Sequence, residues 1–457
     1  MFGGQQAVEI LCSIVRTKLV ALWIGPAGVG LFGILSSGMD LIASVTQLNL
    51  RDTAVREIAA SPREDIGRIG QAVRRLALWL GIAGALLTLL LSPWLSAISF
   101  GNRDMWWAFA WLSLAVLLMS VNRSEAAIFQ GLKQFRTLTR CSILGSLGGL
   151  AVSVPMFWFW RIDSVVPSLI AYAVVTWLAL GYYRAKLPAA GPAQGWRSTL
   201  KTGRKVLMLG FYMTVSAVVL HLVSYVFMAY LNHEGGLKVA GFYNAGFSLV
   251  NRYGGLVFAV IGMEFFPRLA GVVHSARTTK IFVANQIYLS LLILVPFATV
   301  MIACLTLVVR LFYTQEFLVT VAMVAPAMVG TVMRAISWCM AFVIVAKADG
   351  RTFIVTETVS AAIALALNVA GYSYGGYLGL GIAYAAWYAI YTAMIAAVYY
   401  RRYGLSLPRR TWALAAYAVG LTTLAAVLAI AVTPLAAGPC ALAGVVVSGW
   451  MLRKNLR

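Results

Sequence analysis

Acidic side chains are scarce in this chain. Fourteen Asp and Glu stand against 36 Lys and Arg in 457 residues, and only 11% of the chain is charged. A soluble domain carries about 25% charged residues, so a water-exposed surface cannot be built over this length. The five cysteines (Cys12, Cys141, Cys304, Cys339 and Cys440) stand singly inside apolar runs, which excludes a disulfide framework and any CxxC pair. Three histidines (His221, His233 and His274) occur without HExxH or Cys/His ligand spacing, so no metal site is expected. No G-x-x-x-x-G-K-S/T loop is present, so the chain does not itself burn ATP. No catalytic constellation and no cofactor are expected. A cleavable signal peptide is not expected either, because Gln5, Gln6, Glu9, Arg16 and Lys18 break the segment that would have to be apolar.

What is there is hydrocarbon: 61% of residues are hydrophobic. A spanning helix needs about 20 apolar residues. Such runs fall at 5–23, 28–50, 76–99, 105–122, 140–160, 164–183, 206–231, 239–265, 283–309, 318–345, 353–373, 377–400, 412–432 and 436–452. The fold class expected is therefore an all-α polytopic membrane protein with about 14 transmembrane helices. With the amino terminus inside, 28 of the 36 basic residues lie in cytoplasmic loops or the tail, and the opposite loops hold only Arg103, Arg161, Lys238 and Arg310. That asymmetry never inverts along the chain, so both termini are expected in the cytoplasm. A basic chain can also mean nucleic acid, but here apolar runs separate the basic clusters, so no nucleic-acid partner is expected.

The basic, Pro/Gly-bearing stretch 184–205 divides the spans six and six. The domains expected are 1–190, 191–400 and an appended helix pair at 401–457. Two faint echoes agree with that division. VGLFGILSSGMDLI from Val29 resembles VAGFYNAGFSLV from Val239, and QFRTL from Gln134 resembles DGRTF from Asp349, at offsets of 210 and 215 residues. Two six-span lobes the same way up make a parallel repeat, related by a pseudo-two-fold along the membrane normal and leaving a central cavity.

Polar residues inside the spans fall on helical stripes. Charges at bilayer depth cost ~2.5–3.5 kcal/mol and face a cavity or a partner. The deep ones are Arg16, Lys18, Arg252 and Arg334 against Glu9 and Asp40. That cationic excess suits an anion, and guanidinium forks match phosphate oxygens. Each residue also has a plainer reading. Glu9 and Arg16 can form a structural pair, Lys18 can snorkel to the interface, Asp40 can pair with a basic neighbour, and His221 can be a satisfied interior side chain. Glu9, Asp40, Glu357 and His221 are the candidates for ion or proton coupling. The Trp and Tyr residues read first as interfacial belts.

The opening residues carry a resemblance. Gly3-Gly4-Gln5, Arg16-Thr17-Lys18, Gly25-Pro26-Ala27-Gly28-Val29-Gly30 and Ala54-Val55-Arg56, with Arg334-Ala335-Ile336-Ser337-Trp338 and Ala346-Lys347 later on, resemble Wzx-type O-antigen translocases. These are lipid-linked oligosaccharide flippases of the multidrug/oligosaccharidyl-lipid/polysaccharide exporter superfamily. The resemblance implies alternating access, and transport of an undecaprenyl-pyrophosphate-linked oligosaccharide from the inner to the outer leaflet of the bacterial inner membrane. It implies that Arg16, Lys18, Arg252 and Arg334 line a cationic lumen. The partners expected are that lipid-linked glycan, membrane lipids and polysaccharide polymerase machinery. The rival readings are a drug/cation antiporter of the same architecture, which would carry a more acidic lumen, a membrane glycan polymerase, which would carry a large outward loop, and a structural scaffold.

Overall fold

The structure is a computed structural model. It describes the backbone of residues 2–184 and 196–455, with side chains except at 2–7, 63–64, 196–213, 252–253, 256, 259–260, 263–264, 267 and 455. Among these residues every regular element is helical. In chain order they are α1 (Phe2–Trp23), α2 (Pro26–Gln47), α3 (Leu50–Ala60), α4 (Arg63–Phe100), α5 (Trp106–Gly131), α6 (Phe135–Trp160), α7 (Val165–Arg184), α8 (Trp196–Ser248), α9 (Gly254–Val272), α10 (Ala276–Ala303), α11 (Leu305–Phe312), α12 (Val321–Ala346), α13 (Gly350–Arg401), α14 (Arg409–Ala431) and α15 (Gly438–Asn455).

Among the described residues ten helical stretches are long and apolar enough to cross a membrane. Three of them hold two crossings each. Phe135–Arg184 turns at Arg161, and α8 and α13 turn at Gly236 and Gly376. With α1, the described residues hold the fourteen membrane helices that the apolar runs imply. Their ends differ from those runs. Residues 51–75, expected as a loop, form α3 and the start of α4, because Ala54 and Ile58 pack one helical turn apart against Ile69, Val73 and Ile128. α5 likewise runs on to Gly131 through residues expected in a loop. The segment after α10 breaks at Cys304 into the short α11. Residues 185–195 of the expected linker lie outside the described residues.

The sequence echoes reappear as matched turns. Gly25 (φ 84, ψ −169) and Gly236 (φ 73, ψ −180) lie 211 residues apart. Arg161 (φ 46, ψ −120) and Gly376 (φ 55, ψ −134) lie 215 apart. Lys133 and Ala348, also 215 apart, both sit at φ 56. Their amides donate to Gln130 and Val345 respectively, and the next amides, of Gln134 and Asp349, donate to Phe129 and Ile344. Three pairs of turns with matching backbone conformation, 211 to 215 residues apart, are the trace of a duplicated six-helix unit.

By internal packing the chain forms two units, Met1–Gly241 and Phe242–Arg457. In the first, Leu35 and Ile42 of α2, Phe109, Leu112 and Val116 of α5, and Tyr225 of α8 share one core. The carboxyl end of α4 would leave unpaired carbonyls, and α8 supplies donors to two of them. Asn232 Nδ2 donates to Ser99 (2.8 Å) and His233 Nε2 to Ile98 (2.7 Å), while Tyr225 Oη adds a bond to Leu95 one turn earlier (3.0 Å). Within α4, Pro93 has no N–H to give Leu89, and the Ser92 hydroxyl donates there instead at 2.7 Å. Helices α2 and α8 approach backbone to backbone. A Cβ on Gly30 would strike the Leu237 carbonyl, and one on Gly241 would strike that of Pro26.

In the second unit, α12 is buried along nearly its whole length. Its Trp338 and Phe342 pack 4.5 Å apart, with Phe258 5.5 Å and Phe265 6.1 Å from Trp338. Helix α13 doubles back at Gly376 into a hairpin, 350–375 and 377–401, whose arms meet closely enough at Gly371 and Gly379 to exclude any Cβ.

Candidate functional site

Among the described side chains, one arginine in each unit is framed by two aromatic rings. In the first, Arg16 projects from α1, which lies against α6. Its guanidinium carbon stands 5.0 Å from the Phe32 ring centroid on α2 and 5.1 Å from Tyr172 on α7. Desolvated cation–π contacts of this kind contribute up to ~2 kcal/mol. Arg16, Glu9, Cys12, Ser13, Ser146, Leu150 and Tyr172 line a cavity of about 30 Å³, enough for one or two waters. Lys18, about 200° further round α1, does not line it.

In the second unit, the π-helical turn Leu249–Tyr253 shifts the register between α8 and α9 and presents Asn251 to α12. Such bulges re-aim a side chain without ending the helix. Arg334 Nη1 donates to Asn251 Oδ1 at 2.8 Å, and Tyr384 Oη donates to the same oxygen at 3.3 Å. The Arg334 guanidinium carbon lies 5.0 Å from the Phe258 ring and 5.7 Å from Tyr388. Among the described residues no carboxylate forms an ion pair with Arg334. Glu357 is near enough to feel its charge, but Glu357 Oε1 accepts from Tyr391 Oη at 2.6 Å. Arg252, the other cationic candidate, sits on the π-helical turn, and its side chain lies outside the described residues.

Tyr384, Trp387, Tyr388 and Tyr391 recur at one helical face of the second α13 arm. Their rings form a chain, with 4.9 Å between Tyr384 and Tyr388 and 4.5 Å between Trp387 and Tyr388. The sequence reading missed this stripe because it assigned aromatics to span ends; the three-and-four spacing in mid-span was the available signal. Trp387 Nε1 donates to Ser360 Oγ at 2.9 Å, across the hairpin.

Two further polar clusters sit in the first unit. Asp40 accepts from Arg123 Nη2 at 3.2 Å, and Gln47 Oε1 accepts from Arg123 Nη1 at 3.3 Å. His221 lies within charge–charge range of both Asp40 and Arg123. Nearby, Glu125 is buried and accepts a two-point bond from Arg74, Nε to Oε1 at 2.8 Å and Nη2 to Oε2 at 3.1 Å. Arg184 approaches the same Oε1 at 3.2 Å. Arg123 and Glu125 were expected in a loop, and the continuation of α5 makes them helical. Among the described residues no three His, Cys, Asp or Glu side chains gather as a metal site.

At the mouth of the α13 hairpin, Asp349 caps the helix. It accepts from Thr352 N (3.2 Å), Thr352 Oγ1 (2.9 Å), Arg402 Nε (2.7 Å) and Tyr403 Oη (2.9 Å). Partial burial pushes its carboxyl up, but the bonds from Arg402, Tyr403 and Thr352 outweigh that and hold it at about 2. Burial, with the carboxylate it serves, pushes Tyr403 up to about 12.

Of the residues singled out in the sequence, Glu9 and Arg16 share one cavity, Asp40 and His221 share another cluster, and Arg334 and Glu357 meet through the tyrosine stripe. Lys18 is not among the residues that line the Arg16 cavity.

Comparison with known proteins follows the same lines. Residues 21–322 match the model of a family described as polysaccharide biosynthesis protein. A Shigella flexneri protein named "Putative O-antigen transporter" is 24% identical over 328 residues, covering 69% of this chain and 76% of that one. Among solved structures, the lipid II flippase MurJ in an inward closed conformation aligns over 100% of this chain and 98% of its own, with a TM-score of 0.67 at 11% identity. An inward-facing multidrug resistance MATE family transporter of the MOP superfamily aligns over 90% and 98%, with a TM-score of 0.64 at 14% identity. A MOP superfamily transporter from Pyrococcus furiosus aligns over 90% and 94%, with a TM-score of 0.60 at 16% identity. These likenesses show the fold.

Proposed function

The chain belongs to the polysaccharide biosynthesis protein family, and from that premise we propose that it is a flippase for an undecaprenyl-pyrophosphate-linked oligosaccharide. It moves the headgroup from the inner to the outer leaflet of the bacterial inner membrane by alternating access, for O-antigen-like surface polysaccharide. Both termini lie in the cytoplasm, and the halves 1–190 and 191–400, with 401–457 appended, are the moving parts and their accessory pair.

The observation that carries this reading is Arg334. A cation at this depth normally has a carboxylate of its own. Arg334 has instead a neutral amide, two aromatic faces and a tyrosine that shares its acceptor. That surrounding holds the guanidinium in place while leaving its charge available to an anionic ligand. Arg16, between Phe32 and Tyr172, repeats the aromatic framing. A pyrophosphate offers Arg334 a countercharge, and charge-assisted forks favour it over neutral sugars. The prenyl tail needs no polar path and stays in hydrocarbon. The lipid-linked glycan and the membrane are thus the substrate and solvent, and the chain performs no bond chemistry.

The test is reconstitution. Purified protein in liposomes should make an inner-leaflet undecaprenyl-pyrophosphate oligosaccharide accessible to an external glycosidase with time. Failure to do so, together with proton-driven extrusion of a cationic dye, would establish the antiporter reading instead.

A further inference from the structure

The Asp40–Arg123 cluster is used by none of this. Its two side chains are 40% and 41% exposed; a carboxylate so exposed at membrane depth must face water, since lipid would penalise it heavily, and Arg123 stands just past the end of its apolar run. An ion pair open to water exchanges partners readily. Beside it, Gln47 is only 8% exposed. Its Oε1 is committed to Arg123, while its Nε2 has no hydrogen-bond partner among the described residues. The amide cannot be turned round, because that would set a donor against the guanidinium. A buried donor without an acceptor is costly. A ligand bearing several acceptor oxygens would satisfy it and the guanidinium together.

We infer that Arg123 and Gln47 form an anion site for a phosphate-bearing headgroup, closed in the resting protein by Asp40, whose carboxylate the headgroup displaces. The identity of the headgroup rests on the flippase reading; the site itself does not. The displaced carboxylate then lies beside a polyanion. Like charges at close range favour the protonated acid, so headgroup binding draws one proton from solvent onto Asp40. By reciprocity, lower pH strengthens headgroup binding.

The charged neighbours leave Asp40 as the group that responds. From α5 come Arg123 and Glu125, and Glu125 is held by Arg74 of α4 and Arg184 of α7. From α8 comes His221. From α1, Arg16 lies against Phe32, eight residues along α2 from Asp40, or about 12 Å.

The experiment titrates inorganic pyrophosphate into the full-length protein in nanodiscs by calorimetry, at pH 6, 7 and 8, in two buffers of different ionisation heat. Wild type should bind with net proton uptake and with affinity falling severalfold from pH 6 to 8. Asp40→Asn should bind at least tenfold tighter at pH 8 and lose the proton uptake and pH slope that exceed those of pyrophosphate's own ionisation. Arg123→Gln should bind at least tenfold more weakly. Because that variant strands Asp40, the double variant Asp40→Asn/Arg123→Gln, which removes both charges, serves as the folded control and should bind as weakly. Binding that the double variant retains at wild-type strength, with loss in Arg334→Ala, overturns the site and leaves the flippase reading standing. Proton uptake beyond the ligand's own that survives Asp40→Asn, or that moves with His221→Asn, overturns the displacement. No binding by wild type overturns both the site and the flippase reading.

Discussion

Replacing Arg334 separates a ligand-binding arginine from a structural one. In Arg334→Ala, Asn251 Oδ1 keeps the Tyr384 hydroxyl at 3.3 Å, so no buried acceptor is orphaned. The loss to the fold is one charge-assisted hydrogen bond and two ring contacts, about 2.5–7 kcal/mol in all, within a unit whose α12 is otherwise apolar and buried. The loss to a pyrophosphate is separate from that and is read in binding. Charge-assisted bonds contribute ~1.5–3 kcal/mol each, so removing one weakens binding roughly 10- to 150-fold, at about 1.4 kcal/mol per tenfold. Arg334→Lys keeps the charge but cannot fork onto two oxygens, and should recover only part of the activity. The assay measures folded protein and glycan export together in both variants, with Asn251→Ala as the reference for the structural bond alone. If the arginine serves only to tie α12 to the π-helical turn, Arg334→Ala and Asn251→Ala will lower thermal stability alike and export will follow stability. Normal export by a well-folded Arg334→Ala protein refutes the binding role.

Asp349→Asn should lower the unfolding temperature at pH 7, and the gap from wild type should close as pH falls. The folded carboxyl at about 2 lies below its unfolded value near 3.9, so its stabilisation is complete above ~4 and fades on the way down to 2; a pH-independent gap would contradict this. Arg161→Gly should stabilise the first unit by about 1 kcal/mol, since φ 46 with ψ −120 is a region that favours glycine, as a thermal melt would read. Gly30→Ala or Gly241→Ala should destabilise by about 1–3 kcal/mol or more, because the new Cβ meets main chain that cannot rotate away, whereas Gly255→Ala, with open space around it, should be neutral in the same melt. Reporter fusions after Gly191 and after Arg457 should both read cytoplasmic; a periplasmic signal at either would break the orientation.

The fourteen crossings were legible because apolar length and basic-loop asymmetry are properties of segments. The duplication was legible only as two weak echoes, yet their offsets anticipate the matched turns at Lys133 and Ala348, where backbone conformation outlasts side-chain identity. Helix ends were not legible. Apolar runs stop where the membrane does, but α5 continues to Gly131 because its last turns pack on α3, and this carries Arg123 and Glu125 into the folded body. The arginine at 334 was visible as a deep charge, whereas its partners were not. Asn251 reaches it through a π-helical turn that no periodicity announces, and the tyrosines of α13 find Asn251 and Glu357 on other helical segments. Spacing along one helix shows that a face exists without showing what the opposite face offers.

The α13 hairpin is fastened at both extremities. Asp349 ties its mouth to Arg402 and Tyr403, Gly371 and Gly379 weld its tip, and Tyr391–Glu357 and Trp387–Ser360 rivet the middle. Mechanically it is a lever and not a spring. Its arms cannot splay independently, so a push on the loop at 347–349 arrives at the tyrosine stripe without being absorbed as bending. Stiffness along that beam would let an event at the membrane surface set the position of Tyr384 and Tyr388, and through them the purchase available on Arg334.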